Sequence, residues 1–319
     1  MARIGISGWR YAGWRGHFYP PGLPQRLELA YVGERLTSVE LNGSFYSLQR
    51  PSSWRSWASQ VPDDFLFAVK GPRFVTHMKK LNDVEAPLAT FLASGVLSLG
   101  ERLGPVLWQL PPNLGFHPDR LASFFDLLPR TTAAASSYAA AHHDPDKLKE
   151  PADTTTPVDQ PLRHVLEVRH TSFRTAEFCE LLRAHDIGMV VADSAGTWPM
   201  FDEVTSGVAY VRLHGDTELY ASGYSDAALD RWADKVRAWE ADGLDVFVYF
   251  DNDAKVHAPF DAIALQQRLG ISPPADEHHE HGDREARCSA ERHESSRLRI
   301  LPVAVIGRDG TNSTCRGYL

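Results

Sequence analysis

Cysteine is scarce: three in 319 residues, at 179, 288 and 315. Their spacing gives neither a metal-binding pattern nor a disulfide framework, so a secreted, cross-linked scaffold is excluded and a reducing cytoplasm is the expected compartment. Long apolar runs are also missing. No stretch approaches the roughly 18 consecutive apolar residues of a membrane span, and MARIGISGW at the start has no apolar core behind a basic flank, so no secretory leader and no membrane partner are expected. Basic charge is in deficit, with 33 Lys and Arg against 41 Asp and Glu and a net charge of −8. That balance disfavours a general nucleic-acid binder while leaving room for a local basic pocket. A G-x-G-x-x-G turn after the first strand is absent, which counts against a dinucleotide-binding sheet.

What is present is a repeated kind of strand. His164 to Phe173 reads HVLEVRHTSF. Period-two geometry sends Leu166 and Val168 one way and Val165, Glu167 and Arg169 the other, with His170 just past the end. VELNGSFY sets Val39 and Leu41 opposite Glu40 and Asn42, and YVRLHG sets Val211 and Leu213 opposite Tyr210, Arg212 and His214. Strands that end in polar groups on one face predict a shared pocket at the C-terminal mouth of a parallel barrel.

Eight such segments are expected: Arg3–Gly8, Thr37–Asn42, Phe65–Lys70, Pro105–Leu110, the stretch from His164, Met189–Asp193, Val208–His214 and Asp245–Phe250. Helical patterns alternate with them at Leu27–Leu36, Glu85–Leu103, Pro118–Leu128, Thr175–His185, from Asp226 past Trp239, and Ala258–Leu269. The link 194–207 is short, contains Pro199 and predicts no full helix. Alternation of this kind implies parallel pairing through crossovers, and eight units imply a single-domain TIM-barrel-like (β/α)₈ fold over about residues 1–271. Two stretches depart in composition. Residues 131–161, rich in Ala, Thr, Pro and charge, read as a largely flexible surface insertion with one alanine run of helical propensity. Residues 272–319 read as a charged, aperiodic tail that is expected to be disordered; its histidines are assigned no metal.

Taken in order, SGWRYAGWRGHFYP at 7–20, ELNGSFY at 40–46, FAVKGPRFVTH at 67–77, LWQLPP at 107–112, EVRHTSF at 167–173, YVRLHG at 210–215 and YFDND at 249–253 resemble the YecE-like family, known as domain of unknown function 72. The resemblance covers about residues 3–270 and implies a TIM-barrel-like fold and a pocket, but no reaction. Two positions depart from the family's usual pattern: Phe173 stands where Trp is usual, and Asp251 replaces the first Asn of Asn-Asn-Asp.

At the mouth, Glu40 and Glu167 are the carboxylates expected to do acid–base or nucleophilic work, as in glycoside hydrolysis, facing each other across the pocket. His214 is the third expected catalytic group, since its intrinsic pKa suits proton transfer. Asn42, Tyr46, Lys70, His77, Gln109, Arg169, His170, Asp193, Arg212, Asn252 and Asp253 are expected to bind substrate, with the cations taking a phosphate or carboxylate. Ion pairs of Glu40 with Lys70, and of Glu167 with Arg169 or Arg212, are the structural alternative. Trp9, Trp14, Phe18, Tyr19, Phe45 and Tyr46 offer either a stacking face or a hydrophobic lid core. His77, His170, His214, Glu40, Glu167, Asp193 and Asp253 have metal-ligating chemistry, but no close ligand spacing, and no cofactor or metal is assigned. The expected protein is a hydrolase or lyase acting on a small anionic or sugar-like molecule. The alternatives are a metal-assisted phosphodiester hydrolase or nucleic-acid-binding protein, and a non-catalytic ligand-binding barrel.

Overall fold

The computed structural model describes residues 1–272. Eight parallel strands close on themselves in sequence order: β1 (Arg3–Ser7), β2 (Ser38–Leu41), β3 (Leu66–Lys70), β4 (Leu103–Gln109), β5 (His164–Glu167), β6 (Gly188–Asp193), β7 (Val208–Leu213) and β8 (Asp245–Phe250). Closure is made by β1 and β8, with Gly5 opposite Tyr249 and Ile6 opposite Phe250. This is the (β/α)₈ barrel expected from the alternation.

Period two sorts the side chains. Ala68, Leu107, Val165, Val190, Ala192, Val208, Tyr210, Phe247 and Tyr249 fill the barrel interior. The alternate positions, among them Ile6, Val39, Leu41, Val69, Trp108, Leu166, Val211 and Phe250, join the layer between strands and helices. Burying an aliphatic or aromatic side chain of this size is worth about 1.5–3 kcal/mol, so the two-layer sort fixes the register of every strand.

Helices follow the strands: α1 (Glu28–Gly33), α2 (Gly43–Tyr46), α3 (Pro51–Ala58), α4 (Glu85–Ala93), α5 (Pro118–Leu127), α6 (Thr132–His142), α7 (Ala176–Ala184), α8 (Asp226–Ala241) and α9 (His257–Leu269). The link 194–207 holds no helix, as its length and Pro199 imply. The helix expected over Glu85–Leu103 is broken. α4 stops at Ala93, and Gly95 takes φ +95°, where an added Cβ would lie 2.7 Å from the Pro51 Cα. Only glycine supplies that backbone without strain.

The insertion 131–161, expected as a largely flexible loop, is tied to the barrel along its length. Thr131 caps α6 by accepting from the Ala134 amide, and Ala135 and Ala139 are buried. The hydroxyl of Tyr138 donates to the Glu85 carbonyl, and the Asp144 amide donates to Thr90 Oγ1. Further on, Glu150 and Asp153 accept from Ser52 and Arg55 of α3. The physical reason is that alanine is both the strongest helix former and small enough to let α6 lie close on α4. A composition that reads as low complexity thus packs. The expected tail lies, apart from its first residue, outside the described residues. Among the described residues no helix is long and apolar enough to cross a membrane.

Candidate functional site

The interior face ends in polar side chains at the C-terminal mouth, where barrel enzymes place their chemistry. Arg212, on the inward face of β7, stands at its centre and is 1% exposed. Its Nε donates to Glu40 Oε2 at 3.0 Å and its Nη2 to Glu40 Oε1 at 2.9 Å. Nη1 donates to Glu167 Oε2 at 2.7 Å, and Nη2 also donates to Asp251 Oδ2 at 2.9 Å. A planar fork with five donors suits this multiple bidentate duty, which a lysine could not perform. Ser7 Oγ and the Tyr210 hydroxyl each donate to Glu40, at 3.0 and 2.8 Å. Both Glu40 oxygens therefore accept two bonds, and the residue is fully buried.

Glu167 is shared. Its Oε1 accepts from Arg169 Nε at 2.7 Å, and Arg169 lies over the Trp198 ring at 3.6 Å. Burial alone would raise the Glu167 carboxyl, but the charges of Arg169 and Arg212 outweigh it and hold the group below the ordinary carboxylate range. Asp251 is likewise raised by burial and lowered by Arg212 and His214, with a net result of about 2. Glu167 and Asp251 thus stay ionised against the cations around them.

His214, fully buried, lies between the rings of Trp198 and Tyr220. Its Nδ1 is 2.9 Å from Asp251 Oδ2, off the line of a good hydrogen bond, and its Nε2 has no partner among the described residues.

The corner between β2 and β3 differs. Lys70 ends β3 on the inward face, 8% exposed, and its Nζ makes no hydrogen bond or ion pair among the described residues; it lies 4.4 Å from the centre of the Phe45 ring. Burial and the neighbouring Arg212 charge lower its pKa to about 8. Asn42 follows Leu41, which registers with Val69, and its buried Oδ1 also lacks a partner. Gly71 lets the chain leave Lys70 closely, since a Cβ there would lie 2.3 Å from the Trp108 ring. His77, half-buried, packs on Phe45 with ring centres 5.0 Å apart, and burial followed by the Lys70 and Arg169 charges lowers its pKa to about 4. Gln109 is buried and donates weakly to the Leu110 carbonyl at 3.4 Å.

The structure therefore brings together Glu40, Glu167, His214, Lys70, Arg169 and Arg212, with Asn42 and His77 beside them. Two expected arrangements are corrected. Glu40 and Glu167 do not face each other across an open gap, because the guanidinium of Arg212 fills the space between them. Glu40 pairs with Arg212 and not with Lys70.

Four expected binding residues point elsewhere. His170 is half-buried and caps the turn Thr171–Phe173 by accepting from the Ser172 amide. Asp193 has the outward parity of β6, accepts from the Tyr224 hydroxyl at 3.2 Å, and is raised by burial. Asn252 donates to the Ser222 carbonyl and to Asp261 of α9, which ties the last loop down. Asp253 turns toward the loop after β1, where its carbonyl accepts from Trp14 Nε1. Tyr46 is exposed and lines a groove of about 860 Å³ beside the mouth, with Phe74, Met78, Arg73, Lys147 and Lys149. Trp14, Phe18 and Tyr19 are buried against one another and Tyr31, so these aromatics form core and not a stacking face.

Sequence reasoning named neither Asp251 nor Ser7 as a member of the cluster, and set Tyr210 on the polar face of its strand without a role. Parity reaches the missing two: Phe247 and Tyr249 face inward, so Asp251 does too, and Ser7 alternates with the outward Ile4 and Ile6 of β1. A second cavity of about 550 Å³, lined by Arg130, Arg163, His164 and His185, lies at the opposite end of the barrel, which in this fold serves stability.

A family model described as protein of unknown function DUF72 matches residues 3–283. The chain is 30% identical over 135 residues to the UPF0759 protein YecE of Escherichia coli strain K12, covering 40% of this chain and 45% of that one. It is 29% identical over 117 residues to the UPF0759 protein YunF of Bacillus subtilis, covering 35% and 40%. The matched part thus spans less than half the length of these curated relatives. Among solved structures, a DUF72 family protein from Thermotoga maritima superposes with a TM-score of 0.67 at 25% identity, over 85% of this chain and 99% of that one. One from Enterococcus faecalis superposes with a TM-score of 0.64 at 16% identity, over 85% and 96%, which speaks for the fold alone. A family match that runs through every strand of the barrel, together with the shared fold, means that the chain belongs to the DUF72 family.

Proposed function

We propose that the barrel mouth receives a small anionic molecule and acts on it as a hydrolase or lyase. The observation that carries this reading is the unpaired corner: among the described residues the buried Lys70 has no ion pair and the buried Oδ1 of Asn42 no partner, at a mouth whose central charges are bonded to one another. A buried cation without an ion-pair partner costs several kcal/mol, and an anionic ligand would supply the missing partner. Arg169, one face of which lies on Trp198, adds a second cation at the rim.

Within this reading Glu40 and Arg212 hold the floor and do no proton transfer, because Glu40 has no free lone pair to offer. Proton transfer falls to Asp251 and His214. Both ring nitrogens of His214 are buried without a hydrogen-bond partner among the described residues, with Nδ1 beside Asp251, and Asp251 is the member of the pair that reaches solvent. General acid–base groups of this kind contribute about 10²–10⁴-fold to rate.

The test is a thermal-shift and calorimetric screen of inorganic phosphate, phosphorylated sugars, 2-oxo acids and short oligonucleotides, with and without divalent metal. Small anions are expected to bind without metal, and Lys70→Met to weaken them about tenfold or more, since one charge-assisted bond is worth about 1.5–3 kcal/mol. On a ligand that turns over, Asp251→Asn is expected to lower kcat about a hundredfold with little change in affinity. Equal binding by wild type and Lys70→Met would sink the assignment of the corner. Metal-dependent binding of oligonucleotides alone would replace this reading with the phosphodiester one.

A further inference from the structure

The Lys70 corner has the features of an amine that reacts and not only of a charge that attracts. Its side chain is buried, its Nζ is at the mouth, makes no ion pair among the described residues and rests on an aromatic face. A lysine becomes nucleophilic when it is desolvated or set near another cation; here the side chain is buried against Phe45, and the charge of Arg212 opposes its protonation. We propose that Lys70 forms an imine with the carbonyl carbon of a small anionic aldehyde or ketone, a 2-oxo acid or a phosphorylated sugar. This rests on the anion-site reading and names the substrate's reactive group.

The neutral amine's lone pair attacks the carbonyl carbon and forms the C–N bond. The carbonyl oxygen takes up a proton, the nitrogen loses one, and a carbinolamine results. The C–O bond then breaks as the hydroxyl takes up a proton from solvent and leaves as water, and the nitrogen lone pair forms the C=N bond of a protonated imine. The substrate's anionic group falls to Arg169. No oxidant or reductant is needed.

The charged groups around Lys70 come from every side of the mouth: Arg212 of β7 opposes its protonation, and Glu40 of β2, Glu167 of β5 and Asp251 after β8 favour it. Burial and Arg212 prevail, which leaves the amine with a pKa of about 8. Relative to an ordinary lysine near 10.4, that means roughly a hundredfold more free amine at neutral pH.

The experiment uses the full chain. It is incubated at pH 7.5 with glyoxylate, pyruvate, dihydroxyacetone phosphate or pyridoxal 5′-phosphate, each with borohydride, which adds hydride to an imine and fixes it as a secondary amine. Peptide mass mapping then follows each lysine over time, with and without inorganic phosphate. With at least one probe, Lys70 is expected to label about tenfold or more faster than the surface residues Lys79, Lys147 and Lys149. Phosphate should slow it, and Lys70→Arg and Lys70→Met should lose the fast-labelled peptide while surface labelling continues. Labelling of Lys70 no faster than the surface lysines, with all four probes, overturns the imine. If phosphate still binds in that case, the anion site stands and only the imine falls. Selective Lys70 labelling that phosphate neither slows nor competes with supports the imine and removes the anion-site reading.

Discussion

Arg212 and Lys70 stand at the same barrel mouth on inward positions of β7 and β3, both cationic and both buried, yet they live in opposite surroundings. Arg212 spends its donors on Glu40, Glu167, Asp251 and Ser7. Among the described residues Lys70 has the face of Phe45 and no hydrogen bond or ion pair. The first is a closed electrostatic unit whose members satisfy each other, so it gives the mouth a fixed shape and charge. The second is open, and an open buried cation is stable only when a ligand completes it or when it sheds its proton. Chemistry is therefore sought at Lys70, Asn42 and the Asp251–His214 pair, and rigidity at Glu40 and Arg212.

The sharpest way to break this contrast is Arg212→Met. It leaves three carboxylates buried without their common partner, and removing one side of a buried charge cluster costs about 3–5 kcal/mol. Urea unfolding at pH 7 should show a loss of at least that size, or no folded protein. A loss under 1 kcal/mol would mean that the layer is solvated and that the floor is not closed.

A second contrast sets the mouth against the opposite end of the barrel. There His164 is fully buried and bonded on both nitrogens, accepting from Trp108 Nε1 at 3.2 Å and contacting the Pro129 carbonyl at 2.9 Å through Nε2. Burial lowers its pKa to about 4. A group whose folded pKa lies below its unfolded value of about 6.5 is protonated more readily when unfolded. Its contribution is thus whole above pH 6.5 and is lost as pH falls from 6.5 to 4, a change on the order of 3 kcal/mol. Asp251 and Glu167, lowered in the folded state, act in a different window: their contribution is whole above about pH 4.5 and is lost as the solution becomes more acidic. His164→Gln keeps polar partners for Trp108 and Pro129 but does not titrate. It should flatten the stability profile between pH 6.5 and 4, and an unchanged slope would exclude His164 as its source.

The barrel was legible because its signal is local and repeated: period-two strands alternating with helical patterns, eight times over. The insertion was not, because composition cannot show that Ala135 and Ala139 have α4 to pack against. At the mouth, parity placed Glu40, Glu167, Arg169, Arg212 and His214 correctly. It failed where motif outweighed it. Asn252 and Asp253 were chosen from YFDND, although continuing the inward face of Phe247 and Tyr249 leads to Asp251. Asp193 ends its strand, but on the outward face beside Tyr224. Partnership is legible only in part: pairing of Glu167 with Arg169 or Arg212 is among the expected alternatives and is present, whereas pairing of Glu40 with Arg212 is not among them. That Arg212 would satisfy Glu40, and that Lys70 would be left alone, depends on side-chain reach across the barrel between strands far apart in sequence.

Partnership also decides the smallest and most telling effect. If the Lys70 charge is held for function against its own stability, Lys70→Met should stabilise the fold, because the methionine keeps an unbranched apolar stem over Phe45 and removes a desolvated cation. The sign follows from the lowered pKa. Between pH 8 and about 10.5 the unfolded chain holds the lysine proton and the folded chain has released it, so wild-type stability rises with pH there and its penalty is whole below pH 8. The variant should gain about 1–3 kcal/mol at pH 7, less any cation–π attraction to Phe45 of about 0.5–1 kcal/mol. The gain should fade toward pH 10.5. Paired urea titrations at pH 7 and pH 10 measure both quantities. Destabilisation at pH 7, or a gain that does not change with pH, would show that Lys70 has a partner after all, and the distinction between a closed floor and an open corner would collapse.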